Sequence, residues 1–279
     1  MGIRLGIAGP VNSGKSFGRR TIPDGENVMV LAPSMKATHL RTSSGKPSGY
    51  FKMSKKRADG TIANEKELYA AAGVANRLEL LHKINNEKQP GTWDFIYEGS
   101  IALIHSLAEL PIWMKFINLH MPKIHTVIQP DFTHYISNYI SGKQFINRKA
   151  GGEAYQRFWE LAGESLENFI LLTDHLREEL VVITEYHAEF TVEKGEFELY
   201  VPAGKMMTEK FKPESYYDIF LYTDVLYAEN GDAVSYDFIT RKNKKYPDAR
   251  AMELFEPRIS NDWQPILNKV RDYYGVPLV

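Results

Sequence analysis

Short apolar runs along this chain alternate with stretches of helical spacing, the pattern of a mainly parallel sheet crossed by helices. Ile3 to Ala8 reads as a first strand, and a short helix follows, ended by Pro23-Asp24-Gly25. Asn27 to Ala32 is a second strand. Residues 41–60 are polar and rich in Gly, Ser and Pro. Helical spacing then runs from near Asn64 to about Glu87, where Gln89-Pro90-Gly91 stops it before a third strand, Trp93 to Tyr97. Ile101 to His120 reads as largely helical, with Pro111 as a kink or break. Residues 121–152 are aromatic and carry no clear period. Glu153 to Arg177 has the clearest helical face in the chain, with Phe158, Leu161, Leu166, Phe169 and Ile170 in phase. Leu180 to Thr184 is a buried strand. Phe190 to Val201 forms a hairpin about Lys194-Gly195, and Ile219 to Tyr227 pairs with Ala233 to Thr240. A closing helix spans Asn261 to Tyr274, capped by Asn261 or Asp262. With no repeat or linker, the expectation is one α/β domain over residues 1–279, with residues 103–150 as an enlargement within it.

Directly after the first strand comes Gly9-Pro10-Val11-Asn12-Ser13-Gly14-Lys15-Ser16, a complete G-x-x-x-x-G-K-S phosphate-binding loop. Backbone N–H groups of such a turn and the amino terminus of the next helix converge on phosphate oxygens. Residues Gly9 through Phe17 are therefore expected to hold nucleotide, with Lys15 on the β- and γ-phosphates and Ser16 on Mg²⁺. Composition narrows the setting. A net charge of −1 provides no global field for nucleic acid, so any such contact needs a local patch. The absence of cysteine excludes disulfides, thiolate metal sites and cysteine nucleophiles, and fits a reducing compartment. No apolar run reaches the roughly 18 to 20 residues that span a bilayer, and the loop begins too early for a signal peptide. The expectation is a cytoplasmic protein.

Triphosphate hydrolysis needs a carboxylate near the metal and the attacking water. Ligands of open α/β sheets sit beyond the carboxyl ends of strands, which selects Glu98, at the end of Phe95-Ile96-Tyr97, as metal-holding or catalytic acid. Glu185, after the buried strand, is the other candidate water activator, and the sequence leaves the choice open. Thr184 and His187, at the same strand end, are candidate sensors of the γ-phosphate. Two basic clusters stand out. Lys52, Lys55, Lys56 and Arg57, with Tyr50 and Phe51 interleaved, suit a single-stranded backbone with stacking bases. Arg241, Lys242, Lys244 and Lys245 are placed to supply a cation to a neighbouring subunit's nucleotide. The eight histidines show no metal-ligand spacing.

The order GPVNSGKS, FIYEGS, VVITEYHAE, Val201-Pro202-Ala203-Gly204-Lys205 and FITRKNKKYPDAR resembles, over most of the chain, the phage-encoded ATP-binding proteins with a RecA-like core. These include recombination ATPases that act with single-strand annealing proteins. The resemblance implies a RecA-like P-loop fold, ATP with Mg²⁺, homo-oligomers with nucleotide between subunits, and single-stranded DNA as partner, in the cytoplasm of an infected host. It also implies a single-strand-binding or annealing protein as a further partner. One departure is Ala32-Pro33-Ser34 at the end of the second strand, where relatives often carry an acidic pair; this predicts slow hydrolysis. The resulting expectation is a DNA-dependent ATPase of recombination or replication. The alternatives are a small-molecule kinase, disfavoured by the lack of an Arg-rich lid, and a nucleotide-bound assembly protein with little turnover.

Overall fold

The first apolar run becomes the interior of a sheet because other strands cover both of its edges. The computed structural model describes residues 2–34, 39–87, 95–141, 175–200 and 212–276. Among them are strands β1 (Ile3–Gly9), β2 (Val28–Ala32), β3 (Lys52–Lys56), β4 (Ile62–Ala63), β5 (Phe95–Glu98), β6 (Ile101–Leu103), β7 (Thr126–Gln129), β8 (Val181–Thr191), β9 (Glu196–Leu199), β10 (Ile219–Tyr227), β11 (Ala233–Ile239) and β12 (Arg258–Ser260). The helices are α1 (Lys15–Gly18), α2 (Glu65–Ala72), α3 (Arg77–Asn85), α4 (Glu109–His120), α5 (Phe132–Ser141) and α6 (Trp263–Tyr273).

The main sheet has the order β12-β11-β10-β1-β8-β7-β2-β6, with β9 paired to β8. From β10 to β6 every pairing is parallel, while β11, β12 and β9 are antiparallel additions. The protein is thus a mixed α/β fold with a mostly parallel central sheet, flanking helices and late antiparallel strands. Side chains alternate across β1 and sort into two cores. Ile3, Leu5 and Ile7 join Val181, Ile183, Leu221 and the α6 residues Trp263, Ile266 and Val270. On the opposite face, Ala8 packs with Val182, Phe220 and Tyr222, in the core that also takes up α2, α3 and α4. Gly6 faces this second core, where a Cβ would lie 2.3 Å from the Phe220 ring.

Several expectations are corrected. The stretch from Asn64 to Glu87 is two helices, because Gly73 at φ 66° ends α2 and Asn76 caps α3. Phe95–Glu98 is not a central strand; it pairs antiparallel with β3 in a separate sheet ordered β4-β3-β5. Ile101 opens a strand, β6, instead of a helix, and Pro111 sits in the first turn of α4, where its missing N–H costs nothing. Residues 103–150 are expected as an enlargement, yet Thr126–Gln129 lies inside the main sheet between β2 and β8. The helix Glu153 to Arg177 falls outside the described residues except for its last three positions, and the segment Val201 to Lys205 lies wholly outside them.

At the amino end of β7, His125 is buried and its Nδ1 accepts a hydrogen bond from Arg271 at 3.1 Å. Burial, reinforced by the Arg271 cation, pushes the imidazole down to about 4. The unfolded chain therefore takes up a proton that the folded one refuses, between the ordinary value of 6.5 and about 4. Stability attributable to His125 is complete above 6.5 and is lost as the pH falls through that window, by about 3 kcal/mol. Urea unfolding across this range should show the loss, and His125→Asn should flatten it.

Candidate functional site

The phosphate loop leaves β1 at Gly9, where the backbone crosses beside β10 with no room for a side chain. A Cβ on Gly9 would lie 1.9 Å from Thr223 Oγ1. Ser13, buried, donates to the Pro10 carbonyl at 2.7 Å and meets Thr223 Oγ1 at 2.5 Å. This fastens the loop to β10. Asn12 and Gly14 both take positive φ, 62° and 90°, and the Gly14 carbonyl accepts from Gly18 N at 2.9 Å to begin α1. Asn261, just before α6, also donates to that carbonyl, at 3.0 Å.

Above the loop is a cleft of about 700 Å³, lined by residues 11–17 with His39, Asp131, His187 and Tyr236. Lys15 Nζ donates to the carbonyls of Gly9 and Pro10, at 2.5 and 2.7 Å. Burial pushes its ammonium down to about 8, against the pull of Glu185 and Asp131. A polyanion in the cleft would compete for this cation directly. Phe17 stands at the rim, its ring 6.0 Å from Tyr236 and 6.1 Å from His39, with the Arg20 guanidinium 3.5 Å over its face.

Asp131 was not among the residues selected from the sequence. It stands one residue past β7, after Pro130, at φ 52°, and its carbonyl accepts from His134 N at 2.6 Å in the first turn of α5. The signal for it is the short apolar run Val127-Ile128, with an acid just past its end and helical spacing after it. Ser16 and Asp131 supply one hydroxyl and one carboxylate, a donor set that suits Mg²⁺ completed by phosphate oxygens and water. Among the described residues no group of three or more His, Asp or Glu forms a self-sufficient metal site.

Glu185 lies close by but is committed elsewhere. Its carboxylate accepts from Arg19 Nε at 2.7 Å and Nη2 at 2.5 Å, and both side chains are almost wholly buried. Glu98 is farther removed, across from Lys52 in the small sheet, where it lines a separate cavity of about 750 Å³. Neither expected carboxylate lines the loop cleft. Thr184 is buried and donates to Gln129 Oε1 at 3.2 Å, away from the cleft. His187 does line it, level with Gly9 in the β1–β8 register.

The basic clusters lie outside the cleft. Lys52 and Lys56 are exposed on β3, and Arg57 pairs with Glu67 at 3.0 Å. The small sheet joins the main one beside β6, through Phe51 N to the Ile101 carbonyl at 2.7 Å. That edge is four strand spacings from β1, roughly 19 Å. Of the two interleaved aromatics, Tyr50 is exposed but Phe51 is buried against Tyr97 and Trp113. Arg241, Lys242 and Lys244 are exposed after β11, whereas Lys245 reaches Asp224 at 3.4 Å. Among the described residues no helix is long and apolar enough to cross a membrane. A comparison with protein-family models finds no match, and neither does a comparison with curated proteins.

The Arg19–Glu185 pair makes a testable claim of its own, because removing one partner of a buried pair leaves the other charge uncompensated. Glu185→Gln should lose about 3–5 kcal/mol in chemical denaturation. The double variant Arg19→Met with Glu185→Leu should recover most of that loss. A Glu185→Gln protein of undiminished stability but abolished turnover would return Glu185 to the role of water activator.

Proposed function

We propose that this protein is a RecA-like ATPase that binds ATP with Mg²⁺ at the loop cleft and hydrolyses it in DNA recombination or replication. The observation that carries the reading is the convergence of the phosphate loop, Lys15 and Asp131 on one cleft. The strand order supports it too: β1 is separated from β7 by one intervening strand, β8, so loop and acid emerge at the same carboxyl edge of the parallel sheet, on either side of β8. Ser16 and Asp131 would hold Mg²⁺, whose chemistry is to neutralise charge on the phosphates. Lys15 would leave the Gly9 and Pro10 carbonyls for the β- and γ-phosphates. Phe17 and Tyr236 are partly exposed aromatic rings at the rim, where a base could pack beside them.

The same proposal extends to partners. Single-stranded DNA would meet Lys52, Lys55, Lys56 and Arg57, with Tyr50 as the stacking ring. Homo-oligomers would bring Arg241, Lys242 or Lys244 of one subunit toward the nucleotide of the next. One observation favours a second reading, a nucleotide-bound assembly protein with little turnover: among the described residues that line the cleft, Asp131 is the only carboxylate.

Phosphate release measured with and without single-stranded DNA separates the two readings. The ATPase reading expects DNA-stimulated release, reduced about 100-fold or more by Lys15→Ala and by Asp131→Asn. ATP binding without release under any DNA condition would establish the assembly reading instead. In the oligomer, Arg241→Ala subunits should keep ATP binding and lose turnover, and mixing them with Lys15→Ala subunits should restore part of it.

A further inference from the structure

With Glu185 locked to Arg19 and Glu98 in another sheet, the cleft needs a different group to activate water. We propose that His187 is that group, accepting the proton of the attacking water, with Glu189 as its positioning residue. The inference rests on reading the cleft as a site of triphosphate hydrolysis.

Strand periodicity puts Glu185, His187 and Glu189 on one face of β8, the face on which Arg19 and α1 pack. Glu185 lies beneath α1, whereas His187 is level with Gly9 and opens into the cleft. Its backbone is fixed at both ends: the N–H donates to Thr133 Oγ1 at 3.1 Å, and the carbonyl accepts from Tyr200 N at 2.9 Å. Tyr200 also packs edge-on against the ring, centroids 5.9 Å apart. The imidazole Nε2 lies 3.7 Å from Glu189 Oε1, and the side chain is 22% exposed, enough to meet a water. A carboxylate beside one ring nitrogen favours the tautomer with the proton on that nitrogen, leaving Nδ1 as acceptor.

Charge favours the same role. Burial and the nearby Lys15 cation lower the affinity of His187 for a proton, while Glu189 and Asp131 oppose them. The ring is therefore neutral at pH 7 and free to accept. In the step itself, a water oxygen forms a bond to the γ-phosphorus as a water proton passes to His187 Nδ1. The bond from the γ-phosphorus to the bridging oxygen breaks, and its electron pair leaves on the β-phosphate of the diphosphate. The imidazolium then returns its proton to bulk water.

The test compares ATP turnover in the wild type with His187→Ala, His187→Gln, Glu189→Gln and Lys15→Ala, alongside binding of a fluorescent ATP analogue and thermal melting. His187→Ala and His187→Gln should bind the analogue, melt near the wild type and turn over about 100-fold more slowly or worse. Glutamine keeps a hydrogen-bonding side chain but takes no proton, so a His187→Gln rate within about threefold of wild type would overturn the proposal. Glu189→Gln should move the acid limb of the rate profile to lower pH, since the carboxylate that raises the His187 affinity is gone. An unmoved limb would remove Glu189 from its role. A wild type with no turnover above Lys15→Ala would instead overturn the ATPase reading on which this inference rests.

Discussion

The bidentate contact between Arg19 and Glu185 is the constraint on which the geometry of the cleft depends. Arg19 lies just after α1 and Glu185 in the middle of β8, so the pair fixes the helix that follows the loop to the strand beside β1. Both groups are almost fully removed from water. Desolvating two charges is repaid only when geometry is good and the remaining hydrogen-bonding capacity is used. Here two parallel N–H···O bonds meet that condition. The register of β8 against β1 then follows, and His187 is carried to the level of Gly9.

Within that frame the loop satisfies its own polar groups. Lys15 rests on the Gly9 and Pro10 carbonyls, Ser13 bridges to Thr223, and Asn261 holds the Gly14 carbonyl. The three anchors come from the loop itself, β10 and the entry to α6. A loop pre-organised in this way needs little ordering when a phosphate arrives. On the proposed function the cost falls on Lys15, whose ammonium would exchange two carbonyls for phosphate oxygens while buried. Its depressed proton affinity reflects the same burial, and a multiply charged anion reverses that penalty more effectively than a neutral ligand could.

The parts legible in the sequence were those whose signal is local. β1, β2, β8 and both hairpins carry apolar runs or turn residues that dictate their state, and α6 begins at the Asp262 cap, which accepts from Gln264 N at 3.0 Å. The loop motif is likewise local. What the sequence hid depends on pairing partners. Phe95–Glu98 has the apolar content of a central strand, yet Ile96 and Glu98 are exposed on an antiparallel sheet. Periodicity reports which residues are apolar, not which strand lies alongside. Asp131 escapes notice for the opposite reason: β7 has only four residues, begins and ends on polar Thr126 and Gln129, and Pro130 separates strand from acid. Its interior position, which gives the acid its meaning, comes from pairing with β2 and β8.

Moving the candidate chemistry from Glu98 and Glu185 to Asp131 and His187 changes how the two ends of the molecule can be linked. Glu98 lies beside the basic strand β3, so with Glu98 as the working acid the carboxylate and the proposed DNA contact would share one sheet. With Asp131 just past β7 and His187 on β8, a signal from Lys52 or Lys56 must cross β6 and β2 to reach the cleft. Those strands are bonded in parallel register, Val30 to Ile101 on one side and Val30 to Ile128 on the other. A tightly packed sheet transmits displacement poorly unless an element has two discrete arrangements. On the proposed function, the bistable element therefore lies at the carboxyl edge of the sheet. There Lys15 has two alternative partners, its own loop carbonyls and the phosphates.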